Sequence, residues 1–121
     1  MTQINSSFYV SDNTGVKKIF SIQNITKHSF LINMTDVILG IIKEINFNSS
    51  FKYSELVYGF VIRLKKNRNI NNYYNYSFND NAVILINKNF NPLGTRIFGL
   101  CPLELKKNKY LKFNALTLNI I

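Results

Sequence analysis

The sequence predicts a mainly β protein, a small closed or nearly closed barrel of five or six short strands. Three observations lead there. Apolar residues recur mostly with a period of two, and β-branched and aromatic residues gather in short runs between turn signals. The chain has 121 residues, one domain's length, and its 46% hydrophobic content supports a core. Closing such a sheet also removes its exposed strand edges.

Phe8 to Ser11 reads as the first short strand, ended by the turn Asp12-Asn13-Thr14-Gly15, whose Gly supplies a position at φ > 0. A second strand runs from Lys17 to about Ile25, and a polar, mixed loop from Thr26 to Thr35 follows. Asp36 to Asn46 is nearly continuous apolar sequence, which predicts a strand covered on both faces. Leu56 to Leu64 reads the same way, with Gly59 marking a bend or bulge. Lys65 to Tyr76 is a basic, Asn-rich loop without periodicity. A further strand, Ala82 to Asn87, is entered through the turn Asn79-Asp80-Asn81. After the turn Asn91-Pro92-Leu93-Gly94, the segment Thr95 to Phe98 alternates and is closed by Gly99. Pro102 is the one convincing helix start: Glu104 follows near the N-terminus and Lys106-Lys107 near the C-terminus, as the helix dipole favours. That helix spans about two turns. The apolar tail from Leu111 is expected to pack back onto the barrel. One domain, 1–121, is expected, with the barrel over about 1–99 and a C-terminal helical portion over about 100–121.

Charge narrows the function. Fifteen Lys and Arg against six Asp and Glu give a formal net charge of +9, which opposes compaction and favours a polyanionic partner, nucleic acid or an acidic membrane. No apolar run approaches the roughly 18–20 residues of a membrane-spanning helix. The opening MTQINSSFYV has the marks of neither a secretory signal nor a transit segment. Cys101 is the single cysteine, so no disulfide framework or thiolate metal cluster is expected and a reducing compartment fits. Asn, Ile, Lys, Tyr and Phe are abundant, Trp is absent, and Arg63, Arg68 and Arg96 are the three arginines. That is the vocabulary of an extremely AT-rich genome, and it leaves Lys doing work better suited to the planar fork of Arg.

Catalytic constellations are missing. His28 is the sole histidine and lies in a polar loop without a neighbouring Cys, Asp or Glu, so it reads as a surface or RNA-contacting residue. The acids Asp12, Asp36, Glu44, Glu55, Asp80 and Glu104 are scattered; Asp12 and Asp80 sit at apparent turns, where carboxylates cap backbone amides. Gly94 to Gly99 has the G-x-x-x-x-G spacing but no following Lys-Ser or Lys-Thr, and it reads as a strand rather than a phosphate loop. No enzyme and no cofactor is expected.

The cations fall in clusters: Lys17-Lys18, Lys27-His28, Lys65-Lys66-Arg68 and Lys106-Lys107-Lys109, with Lys43, Lys52, Arg96 and Lys112 between them. Phe30, Tyr53, Tyr73-Tyr74, Phe98 and Tyr110 lie near several of them. Cations position a phosphate backbone while aromatic rings stack on unpaired bases. Any one cluster is equally well a solvated face; four with so little compensating acid make that explanation much poorer for all of them together. The candidate RNA-binding residues are Lys17, Lys18, Lys27, His28, Lys43, Lys52, Lys65, Lys66, Arg68 and Arg96. Arg96 and Phe98, two apart, share one face of a strand, and Thr95 and Ile97 the other. Either that first face meets a partner, or Phe98 is core and Arg96 merely surface.

Nearly end to end, the chain resembles the universal large-subunit ribosomal protein number fourteen family in its bacterial and plastid form. The match is carried by Ser11 to Gly15, Asp36-Val37-Ile38 through Ile42-Lys43-Glu44, Val61-Ile62-Arg63, Phe78, Asp80-Asn81-Ala82, Val83 to Asn87, Asn91 to Gly99 and Glu104-Leu105-Lys106. The run Gly-Thr-Arg-Ile-Phe-Gly after the Asp-Asn-Ala strand is its most specific part. The resemblance implies a five-stranded barrel with a small C-terminal portion containing one or two short helices. It also implies binding to large-subunit rRNA and a bridge to small-subunit rRNA at the subunit interface. The implied protein neighbours are the large-subunit ribosomal protein number nineteen and the ribosomal silencing factor, and no membrane. Arg96, Phe98, Lys106, Lys107 and Lys109 are the expected protein-partner and inter-subunit residues.

Ser54-Glu55 and Ile42-Lys43-Glu44 are closer to plastid members. With the composition, they favour an organelle-encoded protein of an apicoplast-like plastid over a mitochondrion or an AT-rich bacterium. The chain departs from the family in four places. The arginine-rich loop is reduced to Lys27-His28-Ser29-Phe30; Gly99-Leu100 replaces Gly-Pro; Leu103 replaces an arginine; Thr117-Leu118-Asn119 replaces Ala-Pro-Glu, removing the proline start of a last short helix. Weaker silencing-factor binding, or a co-adapted factor, is the expectation.

Overall fold

The computed structural model describes residues 2–47, 49–65, 80–101, 113 and 116–120. Its strands are β1 (Thr2–Gln3), β2 (Ser7–Val10), β3 (Val16–Asn24), β4 (Leu31–Ile32), β5 (Val37–Ile45), β6 (Leu56–Arg63), β7 (Ala82–Ile86), β8 (Ile97–Cys101) and β9 (Thr117–Ile120). Five of them close a barrel in the order β2-β3-β5-β6-β7, the closed, strand-built architecture that the period-two pattern predicts. All neighbours in it are antiparallel except at the seam, where β2 runs parallel to β7 with Tyr9 opposite Ala82 and Val10 opposite Val83. The turn from β2 into β3 needs Gly15, whose φ is +93°.

Two apolar clusters hold the barrel. The inner one gathers Phe8, Val16, Ile19, Ile38, Ile42, Val57, Val61, Val83 and Leu85 inside the barrel, with Ile32 and Leu64 joining it. Gly40 and Gly59 leave room there: a Cβ on either would meet Ile19 Cδ1, at 3.0 Å and 3.3 Å respectively. Gly59 was expected to mark a bend or bulge, but it pairs in regular register with Ile38 and Leu85. The irregularity of β6 falls instead between Val61 and Arg63. The glycine serves interior volume, not chain direction.

The outer cluster lies on the opposite face of β6 and β7. It comprises Phe60, Ile62, Ala82, Ile84 and Ile86 beneath Ile97, Cys101 and Phe113. Phe60 and Phe113 stack with centroids 4.5 Å apart and planes 7° apart, and Phe90 meets both rings edge-on. Every residue of β7 is therefore buried. Of the two stretches expected to be buried on both faces, Leu56–Leu64 is so from Gly59 onward, with Leu56 exposed and Tyr58 half-buried, and Asp36–Asn46 is not. β5 buries Ile38, Gly40 and Ile42 while Val37, Leu39 and Ile41 remain half-exposed. The outer cluster covers β6 and β7, and reaches β5 only at Val37.

Two small sheets flank the barrel. β1 pairs with β4, placing a strand inside the segment expected to be loop from Thr26 to Thr35. β8 pairs in parallel with β9, with Leu100 opposite Asn119. The tail thus returns as a strand over Thr117–Ile120, where the resemblance implied a short helix. Gly99, expected to end β8, lies within it at φ +80°, where the register between Ile97 and Leu100 shifts. It is a bulge, and a glycine there accepts a backbone that an L side chain strains. The helix expected at Pro102 and most of the basic loop Lys65 to Tyr76 lie outside the described residues.

Candidate nucleic-acid interface

β3 and β5 run antiparallel over their lengths, Val16 opposite Ile45 and Asn24 opposite Ile38. That register sorts the candidate cations into two groups. Lys17 and Lys18 at the start of β3 meet Lys43 and Glu44 at the end of β5; Lys27 and His28 follow the far end of β3.

At the first end, side chains are held by two docked turns. Asp12 is buried; its Oδ2 accepts from Leu85 N–H at 2.9 Å and its Oδ1 from Thr14 N–H at 3.2 Å and Thr14 Oγ1–H at 2.6 Å. Burial pushes its carboxyl above the ordinary value of 3.8, outweighing the downward pull of those hydrogen bonds. Asn13 Oδ1 accepts from Thr95 N–H and Arg96 N–H at 2.8 and 3.2 Å, and its Nδ2 donates to Thr95 Oγ1. Phe98 N–H donates to the Ser11 carbonyl. The turn after β2 and the segment before β8, over eighty residues apart in sequence, are joined by these hydrogen bonds. Gly94 permits the approach, since a Cβ on it would lie 2.8 Å from Asn13 Oδ1.

The result is a cationic surface with aromatic rings set in it. Lys18 Nζ lies 3.8 Å from Glu44 and 5.2 Å from the Tyr9 ring centroid; Lys43 Nζ lies 5.9 Å from that of Phe20. Lys17 and Arg96 are exposed, and so is Phe98, at 50%. Phe98 is therefore not a core residue, against one of its two readings. Ile97 on the other face is buried.

At the far end, Asn24 organises the loop. Its Oδ1 accepts from Thr26 N–H and Lys27 N–H, and its Nδ2 donates to the Leu31 carbonyl and to Asp36 Oδ2, the last at 3.0 Å. Asp36 Oδ2 also accepts from Asn33 N–H, and its Oδ1 lies 3.8 Å from Lys27 Nζ. His28, at φ +51°, and Phe30 are left exposed. Lys52 stands exposed in a turn closed by its N–H on Glu55 Oε2. Lys65 is exposed where its N–H meets Asn81 Oδ1. Lys66, Arg68, Lys106, Lys107 and Lys109 lie outside the described residues.

One cation plays a part that the sequence reading missed. Arg63, buried at the end of β6, donates from Nε to Asp80 Oδ1 at 3.0 Å, from Nη1 to the Phe98 carbonyl at 3.1 Å, and from Nη2 to Ser11 Oγ. It ties the barrel to β8. An arginine inside an apolar strand was the available signal, because a buried charge requires partners. Among the described residues, Lys17, Lys43, Lys52, Lys65, Lys88 and Arg96 have no ion pair. No group of three or more His, Cys, Asp or Glu among them could hold a metal ion.

A family model described as ribosomal protein L14p/L23e matches residues 1–121. The large ribosomal subunit protein uL14c of Toxoplasma gondii is 78% identical over 121 residues, and its namesake from Eimeria tenella 55%, each alignment covering all of both chains. The protein of the same name from Pelargonium hortorum is 36% identical over 109 residues, 89% of this chain and 90% of its own.

Proposed function

Since the chain belongs to the ribosomal protein L14p/L23e family, we propose that it binds large-subunit rRNA electrostatically and bridges to the small subunit. The coarser role follows from membership: it is a structural component of the large subunit of a plastid ribosome, not an enzyme. No described helix is long and apolar enough to cross a membrane.

The observation that carries the RNA reading is the set of exposed cations without ion pairs around the closed barrel. Folding does not explain them, since exposed charges contribute little to stability. They can neutralise phosphates that folded RNA brings close together. Lys17, Lys18, Lys43, Lys52 and Arg96 serve one region, and Lys27, His28 and Lys65 others; Lys66 and Arg68, outside the described residues, are assigned to RNA as well. Arg96, Phe98, Lys106, Lys107 and Lys109 are assigned to the inter-subunit bridge and to protein neighbours. Those neighbours are the large-subunit protein number nineteen and the silencing factor; the altered C-terminal residues weaken the latter.

The test is binding of the purified protein to an organellar large-subunit rRNA transcript across a salt series. Contact with some 6–10 phosphates lowers affinity by about 10³–10⁵ between 50 and 200 mM salt. Binding indifferent to salt would sink the reading. A pull-down showing tight binding to a standard bacterial silencing factor would refute the weakened contact.

A further inference from the structure

Between the end of β2, the start of β3, the end of β5 and Phe98 of β8 lies an open cleft of about 590 Å³, within the range of small-ligand sites. Tyr9 and Phe98 line it, 52% and 50% exposed, and Lys17 and Asn46 are on its wall. We propose that this cleft is a stacking site for a single unpaired nucleotide of RNA, the base against Tyr9 or Phe98 and its phosphate on Lys17. The proposal rests on the RNA-binding reading above and deepens it.

The polar groups around the cleft divide into spent and unspent. Asp12 is fully engaged by Leu85 and Thr14, Asn13 by Thr95 and Arg96, and Glu44 is paired with Lys18. Among the described residues, neither Lys17 Nζ nor the Asn46 carboxamide has a partner. An ammonium and a carboxamide beside two half-exposed rings, of which Tyr9 also meets Lys18, match what a nucleotide presents: a phosphate, a base edge with donors and acceptors, and a π-face. Two half-exposed aromatic side chains in one cleft have no role in the core, since neither belongs to an apolar cluster. A peptide strand is a poorer occupant. β2, β3 and β5 are each paired on both edges, and in β8, which pairs with β9, the Phe98 N–H beside the cleft is already bonded to the Ser11 carbonyl.

The test uses two readouts on the full chain. In native large subunits, ultraviolet cross-linking followed by mass spectrometry should place a nucleotide adduct on Tyr9 or Phe98. With the rRNA transcript, the double variant Tyr9→Ala/Phe98→Ala should bind about tenfold or more weakly with an unchanged salt slope. The ring-preserving Tyr9→Phe/Phe98→Tyr should bind within about threefold of the parent. Lys17→Gln should instead reduce the salt slope by about one. Thermal midpoints within experimental error show that each variant is folded. If the parent binds with steep salt dependence and the double alanine variant binds equally well, the cleft is overturned and RNA binding stands. If the parent shows no salt-dependent binding, both fall. A neighbouring protein cross-linked to Tyr9, with no nucleotide on either ring, also overturns the proposal; a protein contact at Phe98 beside a nucleotide on Tyr9 supports it.

Discussion

Arg63 and Gly99 occupy each other's space by design of the fold: a Cβ on Gly99 would overlap the Arg63 guanidinium, whose Nη1 donates to the adjacent Phe98 carbonyl at 3.1 Å. The arginine fills the hollow of the bulge, and so the end of β6 fixes where β8 leaves the barrel. The direction of Phe98 depends on a residue that never reaches the surface.

Arg63→Met removes that anchor while keeping much of its apolar stem. Asp80, Ser11 and the Phe98 carbonyl each lose a charged donor. A loss of about 2–4 kcal/mol is expected, below the figure for a wholly buried pair because the Asp80 side chain is 35% exposed. Urea unfolding measures it, and faster amide exchange should concentrate in residues 97–101. A change spread evenly over the barrel would contradict the local role.

Gly99→Ala combines a positive φ with a steric overlap. About 1–3 kcal/mol of destabilisation is expected, along with weaker subunit joining in a reconstituted ribosome if Phe98 is displaced. An alanine variant as stable as the parent would show that the bulge relaxes freely.

Phe113 is fully buried and stacks on Phe60. Phe113→Ala should cost about 3–5 kcal/mol, as for other core phenylalanines, and should expose the outer faces of β6 and β7. Greater binding of a hydrophobic dye at unchanged strand content in circular dichroism would report this. A loss below 1 kcal/mol would mean that the tail does not hold the outer cluster.

Asp12 gives a pH signature. Its folded-state pKa lies above the unfolded value, so the folded form binds the proton more tightly. The contribution of this group to stability is fully present below the unfolded pKa and is lost as pH rises through the folded one. Asp12→Asn removes the titration. The parent's stability relative to that variant should therefore fall as pH is raised from about 3 to 6, measured by urea midpoints. A difference that grows with pH would mean that the hydrogen bonds to Leu85 and Thr14 outweigh burial.

The barrel was legible because its strands carry period-two patterns bounded by Asn, Asp and Gly turns. The pairing of β1 with β4 was not, since two-residue strands have no period to read. Continuous apolar sequence marks burial but not how many faces are covered. Leu39 and Ile41 look like Ile62 and Ile84 until the outer cluster is seen to stop short of them. The exposed cations are visible individually in the sequence. Their assembly is hidden, because Lys17 and Phe98 are brought together by the contacts of Ser11, Asp12 and Asn13 with residues 95–98, made by turns with no pattern of their own. Arg63 was quoted as part of a motif, yet its partners are spread from Ser11 to Phe98, and only the closed barrel brings them together.

The parallel seam between β2 and β7 also bears on how the chain is made. Its first barrel strand leaves the translating ribosome well before its last partner, with Tyr9 waiting for Ala82. At about 5–20 residues per second, the intervening stretch takes roughly 4–15 s to synthesise. During that interval β2 can pair with β3, but the cylinder stays open and the interior around Phe8 and Val83 is incomplete. Closure is a late, non-local event of the kind that folds slowly. A nascent chain stalled before residue 82 should be trapped by chaperones or proteases, whereas one released beyond residue 86 has every barrel strand in hand.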